Sequence, residues 1–207
     1  MKRTLITVAV LALAVPLSAC GKSTTAGINQ STTVATKAST AAAPAAAATT
    51  GAFNDADTAF AQGMIPHHEQ AIEMADMALD PQTAAGPKIV ALAKAIKAAQ
   101  DPEIATMKGW LTAWGRDTSG AMAGMNHSGG AMPGMMTAAD MTGLGKAKAA
   151  EFDKSWETMM IAHHKGAIDM ANIVIKDGKS ADAKKLAGAV IKGQQAEIDQ
   201  MTALLKG

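Results

Sequence analysis

One motif is written twice in this chain, and no other feature restricts its fold as much. Residues 57–79 read DTAFAQGMIPHHEQAIEMADMAL and residues 153–175 read DKSWETMMIAHHKGAIDMANIVI. The copies share Asp57 and Asp153, an aromatic at Phe60 and Trp156, Met64 and Met160, and Ile65 and Ile161. They also share the paired histidines His67-His68 and His163-His164, then Ala71/Ala167, Ile72/Ile168, Met74/Met170 and Ala75/Ala171. Four of the five histidines lie inside this repeat. Apolar positions recur at helical spacing, so each copy reads as an amphipathic helix.

The repeat continues past the histidines. Leu92, Ile96, Gln100, Glu103, Ile104, Met107 and Leu111 are matched in order by Leu186, Val190, Gln194, Glu197, Ile198, Met201 and Leu205. Four helices are expected, near residues 54–79, 87–114, 144–176 and 181–205. Asn54 or Asp55 is placed to cap the first, Asp80-Pro81 to close it, Pro87 to open the second and Asp177-Gly178 to end the third. Each half is therefore a helical hairpin. Two hairpins closing on one core give an all-α four-helix bundle. Pro66 and Pro102 fall inside helices only in the first half, where the second has Ala162 and Ala196. A kink or local break is expected at each, since an interior proline removes a backbone hydrogen bond at a cost of ~3 kcal/mol. The two half-sites should then be separable and unequal.

With Met64 as zero and about 100° per residue, His68 lies at about +40°, His67 at about −60°, Met74 at about −80° and Asp57 at about +20°. Imidazole and thioether thus share one helix face, and the second copy repeats this with Met160, His163, His164 and Met170. A lone histidine on an apolar stripe is usually a packing residue. Paired, duplicated histidines beside methionines point to a metal, and thioether with imidazole suits copper, Cu(I) above Cu(II). One helix cannot bring all these groups to one ion, so another helix or a second ion must take part.

Glu103 and Glu197 also lie on apolar stripes, where a carboxylate is costly unless paired. Each is a candidate to accept an imidazole N–H, to bind the ion, or to reach past the helix boundary to water. Met107 and Met201 are candidates for the core or for ligation, and Asp57 and Asp153 for ligation or helix capping. Met77, near the opposite face, reads as surface or packing. Residues 115–140 join the hairpins through a Gly- and Pro-containing segment with Met122, Met125, His127, Met132, Met135 and Met136. These are candidates for a second, weaker copper-capturing segment, the alternative being a linker of biased composition.

The first 19 residues read as a lipoprotein signal: basic Lys2 and Arg3, an apolar run at 5–17, then Leu17-Ser18-Ala19-Cys20. Cys20 is the only cysteine, which rules out an intrachain disulfide and fits a lipid attachment site. Residues 20–53 form a Ser/Thr/Ala-rich tether and 54–207 a single duplicated domain. The expected location is outside the cytoplasm, anchored by lipid to the cell or outer membrane. Without Lys2 and Arg3 the 19 basic residues fall to 17 against 18 acidic, a net charge of −1. With no basic stripe and few aromatics, nucleic acid is not an expected partner.

These residues resemble the domain of unknown function 305 family, which includes CopM-like copper-binding proteins of the bacterial envelope. The likeness rests on F-x3-M-I-x-H-H-x2-A-I-x-M-A, on Q-x2-E-I-x2-M and on M-P-G-M-M, and covers residues 54–205. It implies a ferritin-like bundle that binds copper through Met64, His67, His68, Met74, Met160, His163, His164 and Met170. The expected role is to sequester, buffer or hand on copper, with a transfer protein as partner, and not catalysis. The competing readings are a metal-dependent oxidase on the same bundle and a structural or adaptor bundle. A di-iron oxidase needs Glu-x-x-His motifs; the chain has none, and Glu69 becomes Lys165 in the second copy. Nor is there a cysteine–histidine electron-transfer pattern. The duplication argues against incidental histidines, and zinc would leave the methionines unexplained.

Overall fold

A computed structural model describes residues 51–118 and 132–206. The signal segment, Cys20 and the tether up to residue 50, together with Met122, Met125 and His127, lie outside the described residues. All regular structure among the described residues is helical: α1 Asp55–Leu79, a 3-10 turn Pro81–Thr83, α2 Pro87–Ala113, α3 Ala138–Lys146, α4 Ala149–Asp177 and α5 Ala181–Leu205.

Local signals set most boundaries. Asn54 accepts from the Asp57 backbone N–H while the Asp57 side chain accepts from that of Asn54, a capping box opening α1. Ser180 caps α5, and Pro87 occupies the first turn of α2, where its missing N–H goes unused. The third expected helix differs. A separate α3 begins at a Thr137/Asp140 capping box, the chain straightens at Ala147 and Lys148, and α4 opens at Ala149 with a positive φ (50°). Helix α1 runs unbroken through Pro66 and α2 through Pro102, so neither local break occurs. Phe53, assigned to the tether, stacks on Trp114 at 4.7 Å between ring centroids and so belongs to the domain.

Helix α1 packs on α2, α4 packs on α5, and the hairpins meet through α1 and α4. The buried apolar side chains fall into two clusters. One joins the C-terminal halves of α1 and α5 and the N-terminal halves of α2 and α4 through Met74, Ile96, Phe152, Trp156, Met160 and Met201, with Met77 packed against it. The other joins the opposite halves through Phe60, Met64, Met107, Leu111, Val174 and Val190. Each large side chain so buried contributes roughly 1.5–3 kcal/mol. Between the clusters every long helix turns polar: His67 and His68 on α1, Gln100 and Glu103 on α2, His163 and His164 on α4, Gln194 and Glu197 on α5. The core is thus divided by a polar belt.

The aspartates opening the two motifs do not reach that belt. Asp57 Oδ2 accepts from the Lys179 and Ser180 backbone N–H groups at 2.9 and 3.0 Å, at the start of α5. Asp153 accepts from the Gly86 N–H at 3.0 and 3.1 Å, at the start of α2. Each histidine helix therefore caps the second helix of the other half, where a carboxylate also meets the positive helix end. Of their two candidate roles, the structure gives both residues capping: ten residues at 1.5 Å rise put Asp57 about 15 Å along the axis from His67.

Candidate metal centre

His67, His68, His163 and His164 are completely buried. Histidine with both nitrogens wet is easily accommodated; four buried side by side are not, because polar atoms removed from water need partners. Those on the outer sides of the belt have them. His68 Nε2 lies 2.8 Å from Glu103 Oε2, and His164 Nε2 lies 2.7 Å from Glu197 Oε2. In the neutral ring Nε2–H donates to the carboxylate, so the tautomer is set and the lone pair is left on Nδ1. Glu103 and Glu197 thus hold rings in place, one of the roles open to them from the sequence.

His67 and His163 meet at the centre. Their ring centroids are 3.8 Å apart with planes tilted by 47°. His67 Nε2–H donates to the Pro133 carbonyl at 3.1 Å. Burial, reinforced by the nearby His68 and His164, lowers the His67 pKa to about 4, and burial beside His67 and His164 holds His163 well below its ordinary 6.5. Both rings are therefore neutral at pH 7, with lone pairs unoccupied by protons.

Ten buried side-chain nitrogen and oxygen atoms among the described residues have no hydrogen-bond partner, and nine belong to the belt. They are Nδ1 of His67, His68 and His164, both nitrogens of His163, and both carboxamide atoms of Gln100 and of Gln194. Each such atom costs about 1–3 kcal/mol if nothing meets it. Concentrated in one layer, the five imidazole nitrogens have the chemistry of metal ligands, with carboxamides beside them. Sequence reasoning placed Gln100 and Gln194 in the repeat but missed them as members of the site. Their occurrence on otherwise apolar stripes was the available signal.

Methionines belong to both apolar clusters that flank the belt. Met64 and Met107 are fully buried on one side of the belt, and Met74, Met160 and Met201 on the other. Met74 also accepts the Trp156 indole N–H at its carbonyl, 2.9 Å away. Half-buried Met170 reaches α1, its Cε lying 2.9 Å from where a Cβ on Gly63 would stand, and Met132 Sδ lies 3.9 Å from the same point. Among the described residues no three His, Cys, Asp or Glu side chains converge as a closed ligand set. The residues present fit an ion that takes two or more imidazoles and completes its shell with thioether sulfur.

The M-P-G-M-M segment lies over the centre as a strap. Gln70 Nε2–H donates to the Met136 carbonyl at 2.9 Å, and the Met136 N–H donates to Gln70 Oε1 at 2.7 Å. Gly134 (φ 78°) and Gly166 bring the two backbones into contact, and a Cβ on Gly166 would overlap the Pro133 carbonyl. Met132, Met135 and Met136 are half-buried there rather than spread along a free linker.

No curated protein matches the sequence. Among solved structures, a DUF305 protein from Streptomyces coelicolor described as secreted is 31% identical, covers 73% of this chain and 92% of its own, and superposes with a TM-score of 0.66. CopM in its Cu(II)-bound form is 35% identical (72% of this chain, 95% of that one, TM-score 0.62). CopM in its Cu(I)-bound form is 32% identical with the same coverage and a TM-score of 0.60. The family model for the domain of unknown function DUF305 matches residues 57–205, which include both motifs, both glutamates and the strap. With the family model matched over 149 of its residues, this chain belongs to DUF305.

Proposed function

We propose that the chain is an exported, membrane-anchored copper-binding protein that sequesters, buffers or hands on copper, with Cu(I) preferred. One observation carries the reading: four buried imidazoles, with unpartnered nitrogens, lie in a layer bordered by methionine sulfur. Soft thioether favours Cu(I) over zinc and imidazole accepts either oxidation state of copper. The similarity to CopM, solved with Cu(I), Cu(II) and silver, supports the same choice.

The division of labour follows from the contacts. Glu103 and Glu197 fix the outer rings and leave Nδ1 of each buried without a protein partner. Burial keeps His67 and His163 neutral, so that no proton need leave before a metal arrives. The apolar clusters exclude water, and the Met132–Met136 strap closes the His67 side. A hand-on function needs such a strap to lift, with its methionines as transfer ligands; Met122, Met125 and His127 are proposed as further, weaker copper-capturing residues from the sequence alone.

Export and anchoring rest on Lys2, Arg3 and the Leu17-Ser18-Ala19-Cys20 site. Among the described residues no helix is long and apolar enough to cross a membrane, so lipid on Cys20 is the anchor proposed. Anaerobic competition against Cu(I) chelators of known affinity tests the central claim. Cu(I) should bind far more tightly than Zn(II), and Met64→Leu/Met160→Leu should narrow that gap. Zinc binding as tight as copper, untouched by those substitutions, would refute it.

A further inference from the structure

Two members of the belt have no part in the contacts described so far. Gln100 and Gln194 occupy matching positions, three residues before Glu103 and Glu197. They are 2% and 4% exposed, and neither carboxamide makes a hydrogen bond through its oxygen or its nitrogen. One helical turn to either side, the same stripes are apolar: Ile96 and Ile104 on α2, Val190 and Ile198 on α5. The polar choice is confined to the level of the histidines and is made in both halves. A leucine of similar size would pack there without any buried polar atom to satisfy, so a carboxamide must meet something that the apolar core does not supply.

The histidines present a complementary need. The His163 ring approaches the His67 backbone without making a well-aligned hydrogen bond, so whichever nitrogen an ion leaves protonated needs a better acceptor. The buried unpartnered side-chain acceptor oxygens among the described residues are those of Gln100 and Gln194 and Asp57 Oδ1, which stands at the start of α5 and away from the belt. We propose that Gln100 and Gln194 are positioning residues of the metal centre, their carboxamides holding ring N–H groups, directly or through a buried water, when copper is bound. This rests on the copper reading above and adds two residues to it. They act on the ion through the rings, not as ligands.

The test uses the full exported domain with and without Cu(I). Gln100→Leu/Gln194→Leu should leave the urea midpoint of the metal-free protein unchanged or raised and weaken Cu(I) binding at least tenfold in chelator competition. Because Cu(I) is diamagnetic, the side-chain amide resonances of Gln100 and Gln194 can be followed by NMR in the unsubstituted protein, and both should shift on saturation with Cu(I). Affinity within twofold of the parent overturns the proposal. So does weaker binding with unmoved amide resonances, which assigns the effect to packing, or a lowered metal-free midpoint, which assigns the amides a structural role. The NMR arm needs no variant and remains decisive if the double substitution fails to fold. Failure of the unsubstituted protein to bind Cu(I) would instead sink the copper reading itself.

Discussion

The imidazole rings of His67 and His163, which come from opposite halves of the repeat, stand 3.8 Å apart, centroid to centroid. Each half supplies one histidine to this contact and keeps the other against its own glutamate. Against the expectation of two separable half-sites, this contact raises the alternative of a centre common to both halves.

A common centre predicts unequal mutational effects. His67→Ala or His163→Ala alone should lower Cu(I) affinity by tenfold or more and disturb binding in both halves. His68→Ala or His164→Ala should remove a smaller part, confined to its own hairpin. Chelator competition combined with Cu(I) stoichiometry for the four single variants checks this. Additive, half-by-half losses for His67 and His163 would show that their rings touch without sharing an ion.

Stability of the metal-free domain should depend on pH through the same rings. The folded pKa of His67 is lowered to about 4 from 6.5, so in that interval the unfolded chain binds a proton that the folded one does not. Stability is thus fully present above about pH 6.5, declines as pH falls toward about 4, and levels off below; at 1.36 kcal/mol per unit the loss from His67 is about 3 kcal/mol at most. His163, shifted in the same direction, adds to it. Urea unfolding between pH 4 and 7 should show this decline, and His67→Gln should flatten it.

Gly166→Ala should separate the strap from the bundle. The added methyl would overlap the Pro133 carbonyl, whereas alanine within α4 favours the helix by about 1 kcal/mol. The fold should survive while residues 132–136 lose protection from hydrogen exchange and Cu(I) dissociates faster. Unchanged exchange in the strap would show that it accommodates a Cβ.

Asp57→Ala should act on stability alone. Its carboxylate accepts backbone N–H groups from Asn54, Lys179 and Ser180, and losing such a buried cap should cost about 2–3 kcal/mol. Cu(I) affinity of the folded variant should match the parent. A tenfold loss of affinity at full stability would return Asp57 to the metal centre.

Much of this was legible in the order of residues. Apolar spacing and capping signals encode α1, α2 and α5 because those preferences act within one or two turns. The duplication implied paired hairpins, and Met64, His67 and His68 beside their repeats implied a soft-metal face, since helical spacing alone sets which side chains share a side. Even the pairing of Glu103 and Glu197 with imidazole was foreseeable, because a carboxylate on an apolar stripe needs a partner. Only the tertiary structure decided what crosses from one helix to another. It sent Asp57 and Asp153 to the helix starts of the opposite hairpin, brought His67 against His163, and seated the strap on Gly166. It also isolated Gln100 and Gln194 between two apolar clusters. Such contacts depend on where helices far apart in the chain come to cross, and a period of 3.6 residues records only the face that each helix buries, not the side chain that it meets.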